Sequence, residues 1–390
     1  MSRLKVAIAT AFPADPAAPH GGVEAVSVNL VDALSTFDDL DLHVVTTDPA
    51  IHQPETYSWH GTTVHRLPHS GARVLIDATG PGRRQMHAFL TRLAPAVVHA
   101  HDVFGLMVKG LRIPRVHTIH GFIHGDTLVS GERFAWLRAQ LWRRIELSGW
   151  ADHPHVISIS PYVRERLSPV ARGVIHDIEN PIAPRFFSIP RRDDGQTIFS
   201  AAVVCRRKNT LGLVEAFAIV VRDGFGGRLR LAGGVTEEDY ARAVRARISE
   251  LGLESRVDWL GPLKVDGVER ELSSASLFAL VSREENSPLG IEEAMAAGVP
   301  VVTSNRCGMP YMVSHGETGF LVDPENPPDI ARRLSELLTD AERRRTMGDR
   351  ARRTARDRFH PAAVAARTRA VYYEATGITL DRALASPVQG

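Results

Sequence analysis

At 390 residues the chain is long enough for two domains of ordinary size, each with its own buried core. Its 47 basic and 45 acidic residues nearly cancel to a net charge of +2, which excludes a bulk field built for nucleic acid or for an acidic membrane surface. The two cysteines, Cys205 and Cys307, make neither a disulfide framework nor a spaced metal motif, and no apolar run reaches the length of a membrane span. Near the N-terminus "RLKVAIATAF" reads as a strand and loop rather than a secretion signal, so a soluble, cytoplasmic protein is expected. Lysine occurs only as Lys5, Lys109, Lys208 and Lys264, with arginine at every other basic position, so a lysine in a loop stands out from generic solvation.

In chain order, "VAIATAF" reads as a strand, "GGVEAVSVNLVDALS" as a helix, and "LHVVTT", "PAVVHAH", "RVHTIHG" and "HVISIS" as further strands. Ser160 followed by Pro161 predicts a capped helix start in "SPYVRERLS". "NPIAPRFFSIPRRDDGQ" has three prolines, mixed charge and no sustained period, and reads as an interdomain linker. A second series then alternates strand and helix through "TIFSAAVVC", "TLGLVEAFAIVV", "RLRLAGG", "EEDYARAVRARISELG", "VDWLG", "GVERELSSA" and "LFALVS". This alternation predicts an α/β chain of two doubly wound parallel sheets. The expected division is an N-terminal domain over 1–185, a linker over 186–196, a C-terminal domain over 197–365, and a terminal helix within 366–390 packing back on the first domain. Ligands of such sheets bind outside the carboxyl ends of the strands, so the loops facing a cleft between the domains are where chemistry is expected.

One such loop follows "LFALVS": "SREENSPLGIEEAMAAGVPVV", from Ser282 to Val302. The spacing predicts Ser287 as N-cap, Pro288 as the first helical residue and Gly298 as the C-terminal stop. The free N–H groups of that helix start favour an anion, a phosphate above all. Glu285 and Glu293 flank it and suit sugar hydroxyls, each carboxylate accepting two hydrogen bonds. A capped helix with four solvated acids explains the same residues.

The segment resembles the signature of retaining GT-B glycosyltransferases of the family 4, glycogen-synthase-like group: Glu285, seven residues, Glu293, then Ala294, Met295, Ala296, Gly298, Pro300, Val301 and Val302. The resemblance implies a GT-B fold. It implies that Glu285 meets the donor sugar and Glu293 the nucleotide ribose, with Asn286, Ser287, Pro288, Leu289 and Gly290 also on the donor, while Glu284 and Glu292 stay solvated. "HGGVEAVSVNLVDAL" is similar to the family's Gly-Gly loop, in which Gly21 and Gly22 let the backbone approach phosphate and acceptor; the φ freedom of glycine is the expected reason. "VDWLGPL" resembles the segment that meets the nucleobase around Gly261 and Leu263. His101 in "VVHAHD" is then the residue facing the donor sugar, with His120 a looser candidate and His99 structural. Lys208 is the cation expected on the diphosphate, where it would stabilise the leaving group.

The chain departs from the family pattern twice. The arginine that usually precedes the lysine by five or six residues is replaced by Val203 and Ala202, so Arg206 or Arg207 is expected to substitute. In "RCGMPY", Cys307 and Tyr311 stand where the family often has glycine and glutamate. The helix "RFAWLRAQLWRRIELSGWA", with Trp136, Trp142 and Trp150, reads as an ordinary apolar stripe or as a weak peripheral membrane contact. "DDLDL" precedes a strand and reads as a turn rather than a metal site.

The expected activity is retaining transfer of a sugar from a nucleotide diphosphate sugar, a UDP-sugar first and GDP-mannose second, to an acceptor hydroxyl or amine of a small molecule, glycolipid or secondary metabolite. No cofactor, no metal and no nucleic acid are expected; the partners are donor and acceptor. Two alternatives remain: a metal-dependent hydrolase built on His99 and His101, and a nucleotide-sugar-binding protein weakened in catalysis by the missing arginine.

Overall fold

The computed structural model describes residues 3–129 and 134–379; Arg133 and the final part of the 366–390 segment lie outside the described residues. The chain forms two compact units, one running to Pro181 and resuming at Pro361, the other spanning Ile182–His360.

The first unit is built on eight strands: β1 (Leu4–Ala9), β2 (Leu40–Asp48), β3 (Glu55–Trp59), β4 (Thr62–Pro68), β5 (Val97–His101), β6 (Arg115–Ile119), β7 (His155–Ser158) and β8 (Val174–Asp177). Their order is β3-β4-β2-β1-β5-β6-β7-β8, parallel throughout except for the antiparallel β3–β4 hairpin. Val6, Ala7, Ile8 and Ala9 are all fully buried, so β1 is covered on both faces, as a central strand of a doubly wound sheet must be. Strand order reverses between β1 and β5. The loops after these two strands therefore open a crevice at the carboxyl edge of the sheet.

The helix Pro361–Thr376 lies on this unit, against the helix Gly22–Leu34. Tyr372 is fully buried and bonds His99, while Arg369 grips Asp39 through Nε at 3.0 Å and Nη2 at 2.5 Å. Asp39, in the "DDLDL" turn, thus serves packing. In the helix Ala135–Trp150, Trp142 and Trp150 are buried whereas Trp136, Leu137 and Leu141 are exposed.

The second unit carries six parallel strands, β9 (Thr197–Ala201), β10 (Arg228–Ala232), β11 (Val257–Gly261), β12 (Leu277–Leu280), β13 (Val301–Ser304) and β14 (Gly319–Val322), in the order β11-β10-β9-β12-β13-β14. Its reversal point lies between β9 and β12. The stretch 186–196, expected as a linker, is instead part of this unit. Phe186, Phe187 and Ile189 are buried in its core, and Arg191 donates to the carbonyls of Leu272, Ser273 and Ala275. Burying each of those side chains stabilises the segment by roughly 1.5–3 kcal/mol, enough to hold a stretch that lacks any sequence period. The second boundary falls at His360/Pro361 rather than near 365, because Pro361 opens the terminal helix.

Candidate active site

The loops after β9 and β12 meet at the reversal point of the second sheet. After β9 the chain makes a short 3-10 turn over Arg206–Lys208 and leaves it through Asn209, held at φ 56 by its buried amide bonding the Pro324 carbonyl at 2.7 Å. That turn separates three adjacent cations. Arg206 points to the start of the helix Glu238–Glu250, bonding Glu237 at 2.7 Å and Asp239 at 2.5 Å. Arg207 turns the other way, donating to the Glu284 carbonyl at 2.9 Å and Glu285 Oε1 at 3.0 Å. Lys208 pairs with the same Glu285 oxygen. Of the two arginines expected to replace the family's arginine, Arg206 is therefore committed elsewhere and Arg207 is on the site. Ala202 and Val203 have no polar side-chain atom to offer a phosphate, and the Ala202 N–H is taken up by the Ala232 carbonyl at 2.9 Å.

Glu285 is only 8% exposed and holds these two cations close together. In a site of low dielectric each of the three charges depends on the others. The Glu285 carbonyl accepts from Gly308 N–H at 2.8 Å, and a Cβ on Gly308 would come within 1.8 Å of the Asn286 oxygen, so only glycine fits. Cys307, at the position where the family often has glycine, takes φ 54, the left-handed region that glycine adopts at no steric cost.

The helix begins one residue later than expected. It spans Leu289–Ala296 with Pro288 as N-cap, and Ser287 makes no capping bond. Its Oγ donates instead to Glu292 Oε1 at 2.6 Å, because Glu292 is fully buried and needs a donor. Glu292 is thus a structural acid, not the solvated one expected. Gly290 sits where a Cβ would meet Phe278 at 3.1 Å and the Ala201 oxygen at 3.3 Å, which lets the helix start lie close on the strands. Gly298 ends the helix at φ 72 as expected, with the paired bonds Gly298 N–H to Met295 and Val299 N–H to Ala294. Glu293 keeps part of its surface open, yet the protein packed around its carboxyl strips enough water to push its pKa up to about 8. Gly261 ends β11 at φ 67 with its carbonyl accepting from Gly233 N–H at 2.8 Å, and Leu263 follows, partly buried.

In the first unit, His101 ends β5 at the reversal point and is buried. Its Nδ1 lies 2.9 Å from His120 Nε2, and His120 Nδ1 lies 3.1 Å from Asn180 Oδ1. With Asn180 accepting through oxygen, His120 carries its proton on Nδ1 and accepts at Nε2 from His101, which leaves a lone pair on the buried His101 Nε2. That nitrogen has no hydrogen-bond partner among the described residues. Burial, with the nearby imidazoles adding to it, drives the His101 pKa well below its usual value, so the ring is neutral. His99 is different: Tyr372 and Thr118 occupy both of its nitrogens at 2.8 and 2.7 Å, and burial lowers its pKa to about 3. With both nitrogens engaged, His99 offers no open donor atom beside His101.

Gly21 and Gly22 do not need glycine's backbone freedom. Gly21 is extended at φ −173 as the N-cap of the helix Gly22–Leu34, a conformation open to any residue, and a Cβ there meets nothing within 4 Å. What the pair leaves is an uncovered helix start, with Glu24 accepting from His20 N–H at 2.7 Å. Sequence reasoning missed Asp102, which takes φ 44 directly after His101 and accepts from the N–H groups of His120 and Gly121 at 2.7 and 3.3 Å. It ties the loops after β5 and β6 together. The acid following "HAH" was the available signal.

The family model described as Glycosyl transferases group 1 matches residues 183–354, and the one described as Glycosyltransferase Family 4 matches residues 20–186. D-inositol 3-phosphate glycosyltransferase of Corynebacterium efficiens is 36% identical over 315 residues, 73% of this chain and 72% of that one. N-acetyl-alpha-D-glucosaminyl L-malate synthase of Bacillus anthracis is 32% identical over 167 residues, 43% of this chain; the match spans only 42% of that enzyme's length. Among solved structures, sucrose-phosphate synthase from Thermosynechococcus elongatus shares the fold with a TM-score of 0.80 at 22% identity, covering 95% of this chain and 99% of that one. HepE of Anabaena, solved with UDP and glucose, has a TM-score of 0.71 at 18% identity, covering 95% and 100%. With its two parallel-sheet α/β units of GT-B type and these matches across both, the chain belongs to the group 1 glycosyltransferases.

Proposed function

We propose that this protein is a retaining hexosyltransferase that moves a sugar from a nucleotide diphosphate sugar, a UDP-sugar before GDP-mannose, to a hydroxyl or amine of a small molecule, glycolipid or secondary metabolite in the cytoplasm. The observation that carries the reading is the convergence of Lys208 and Arg207 on buried Glu285 beside the start of the helix Leu289–Ala296. Two cations and the N–H groups of a helix start suit a diphosphate, and their charge would stabilise the phosphate as the glycosidic bond breaks. Glu285 would then accept from sugar hydroxyls, and Glu293 from the ribose. The neutral His101 Nε2 can accept a hydroxyl hydrogen but cannot supply a positive charge. In this reading the leaving phosphate takes the acceptor's proton on the same face of the sugar, and neither a metal nor a separate carboxylate base is needed. The UDP and glucose bound to HepE support the donor class, and the glycosyltransferase named among the relatives supports the transfer.

The test is a panel of nucleotide sugars screened by thermal shift and by donor hydrolysis, with binding read through its stabilisation of the fold. Stabilisation by one nucleotide family together with slow hydrolysis of its sugar is the expected result. No stabilisation by any nucleotide sinks the reading, and stabilisation without hydrolysis or transfer favours a binding protein weakened in catalysis, the reading motivated by Val203 in the arginine's place.

A further inference from the structure

The face of the first sheet beneath the helix Pro361–Thr376 holds another set of donor atoms, none of which serves the site described above. His155 and His176 lie on the adjacent parallel strands β7 and β8, where His155 pairs with Val174 and Ile157 with His176, so both rings project from the same face. The rings stack at 5.3 Å with planes 20° apart, and His155 Nδ1 is 3.1 Å from His176 Nε2. Glu374, in the last turn of the helix, brings Oε1 to 3.8 Å from His155 Nδ1. The three donor atoms lie within 4.8 Å of one another, and among the described residues no other three side chains form such a group.

We infer that His155, His176 and Glu374 form a binding site for one divalent transition-metal ion of the Zn²⁺ class. A tetrahedral ion with bonds of about 2.0–2.2 Å needs donor-to-donor edges of about 3.3–3.5 Å. Two of the edges here measure 3.1 and 3.8 Å. Glu374, with 54% of its side chain exposed, is free to swing and close the third. Two imidazole nitrogens and one carboxylate select zinc, cobalt, nickel or copper over magnesium and calcium, which prefer oxygen throughout. Both rings bind as neutral imidazoles, His155 through Nδ1 with its proton on Nε2 and His176 through Nε2 with its proton on Nδ1. Water completes the fourth position. Such an ion ties the terminal helix to β7 and β8, supplementing the Tyr372–His99 bond and the Arg369–Asp39 pair that already hold it.

The full chain, treated with EDTA and dialysed, is titrated with ZnCl₂ by calorimetry and with CoCl₂ by visible absorption. The expected result is one equivalent of Zn²⁺, a tetrahedral-type Co²⁺ band and a raised Tm that Mg²⁺ does not reproduce. His155→Ala, His176→Ala and Glu374→Gln each weaken Zn²⁺ binding at least tenfold; Glu374→Gln changes an exposed side chain and keeps the test decisive if a histidine variant folds poorly. His65→Ala, in the imidazole pair whose His43 Nδ1 and His65 Nε2 are 3.0 Å apart, leaves binding unchanged. Absence of stoichiometric binding, binding that survives all three substitutions, or binding lost in His65→Ala overturns the assignment.

Discussion

Glu293→Gln separates the energetic cost of a desolvated acid from its use. The carboxyl ordinarily titrates at 4.5 and in this fold at about 8. Because the folded-state value is raised, the unfolded chain gives up its proton first as pH rises; the stability is full below 4.5, falls between 4.5 and 8, and is level above. At about 1.4 kcal/mol for each pH unit, the fold gives up about 3 kcal/mol by pH 7 and about 5 kcal/mol above pH 8. Glutamine has the same shape and no proton to lose. Urea unfolding of parent and variant at pH 5 and pH 8, followed by tryptophan fluorescence, should show the variant gaining several kcal/mol relative to the parent between the two. Nucleotide binding should move the opposite way: ribose hydroxyls donating to an ionised Glu293 would make parent affinity rise about tenfold per unit up to pH 8, while the variant binds weakly and with a flat profile. An equal stability difference at both pH values would refute the raised pKa, and parent-like affinity in the variant would refute the ribose role.

Lys208→Ala should lower transfer by about 10²–10³-fold, the usual loss when one charge-stabilising donor is removed, with donor turnover as the readout. Arg206→Ala should stay within about threefold of the parent, because Glu237 and Asp239 hold that guanidinium away from the site; a collapse there would put the diphosphate elsewhere. Gly308→Ala should cut kcat/KM more than tenfold by displacing Asn286 and Glu285, and an unchanged value would show that the 306–309 turn can give way. Acid unfolding should carry the signature of His99, whose pKa falls from 6.5 to about 3 on folding. Its contribution is present above 6.5 and is lost toward pH 3 at about 1.4 kcal/mol per unit, so His99→Gln should show a shallower loss of stability over that window by urea titration.

The sequence alone settled the fold class, because alternating β-rich runs and helical periods have few solutions besides parallel sheets covered on both faces. The helix after β12 and its Gly298 stop were legible as well, because their backbone requirements are local. Sequence alone could not settle where neighbouring side chains go. Arg206 and Arg207 are chemically alike, and only the 3-10 turn, held by Asn209 against Pro324, sends one to Glu237 and the other to Glu285. Ser287 looked like a cap because caps are read one element at a time, whereas a buried carboxylate five residues on claimed its hydroxyl. The stretch 186–196 lacked any period, yet it is held by Phe186, Phe187 and Ile189 in a core formed by residues far along the chain. His99 and His101 differ for the same reason. Two residues apart on one strand, they meet Tyr372 in one case and His120 in the other, and those long-range partners decide which nitrogen keeps its lone pair.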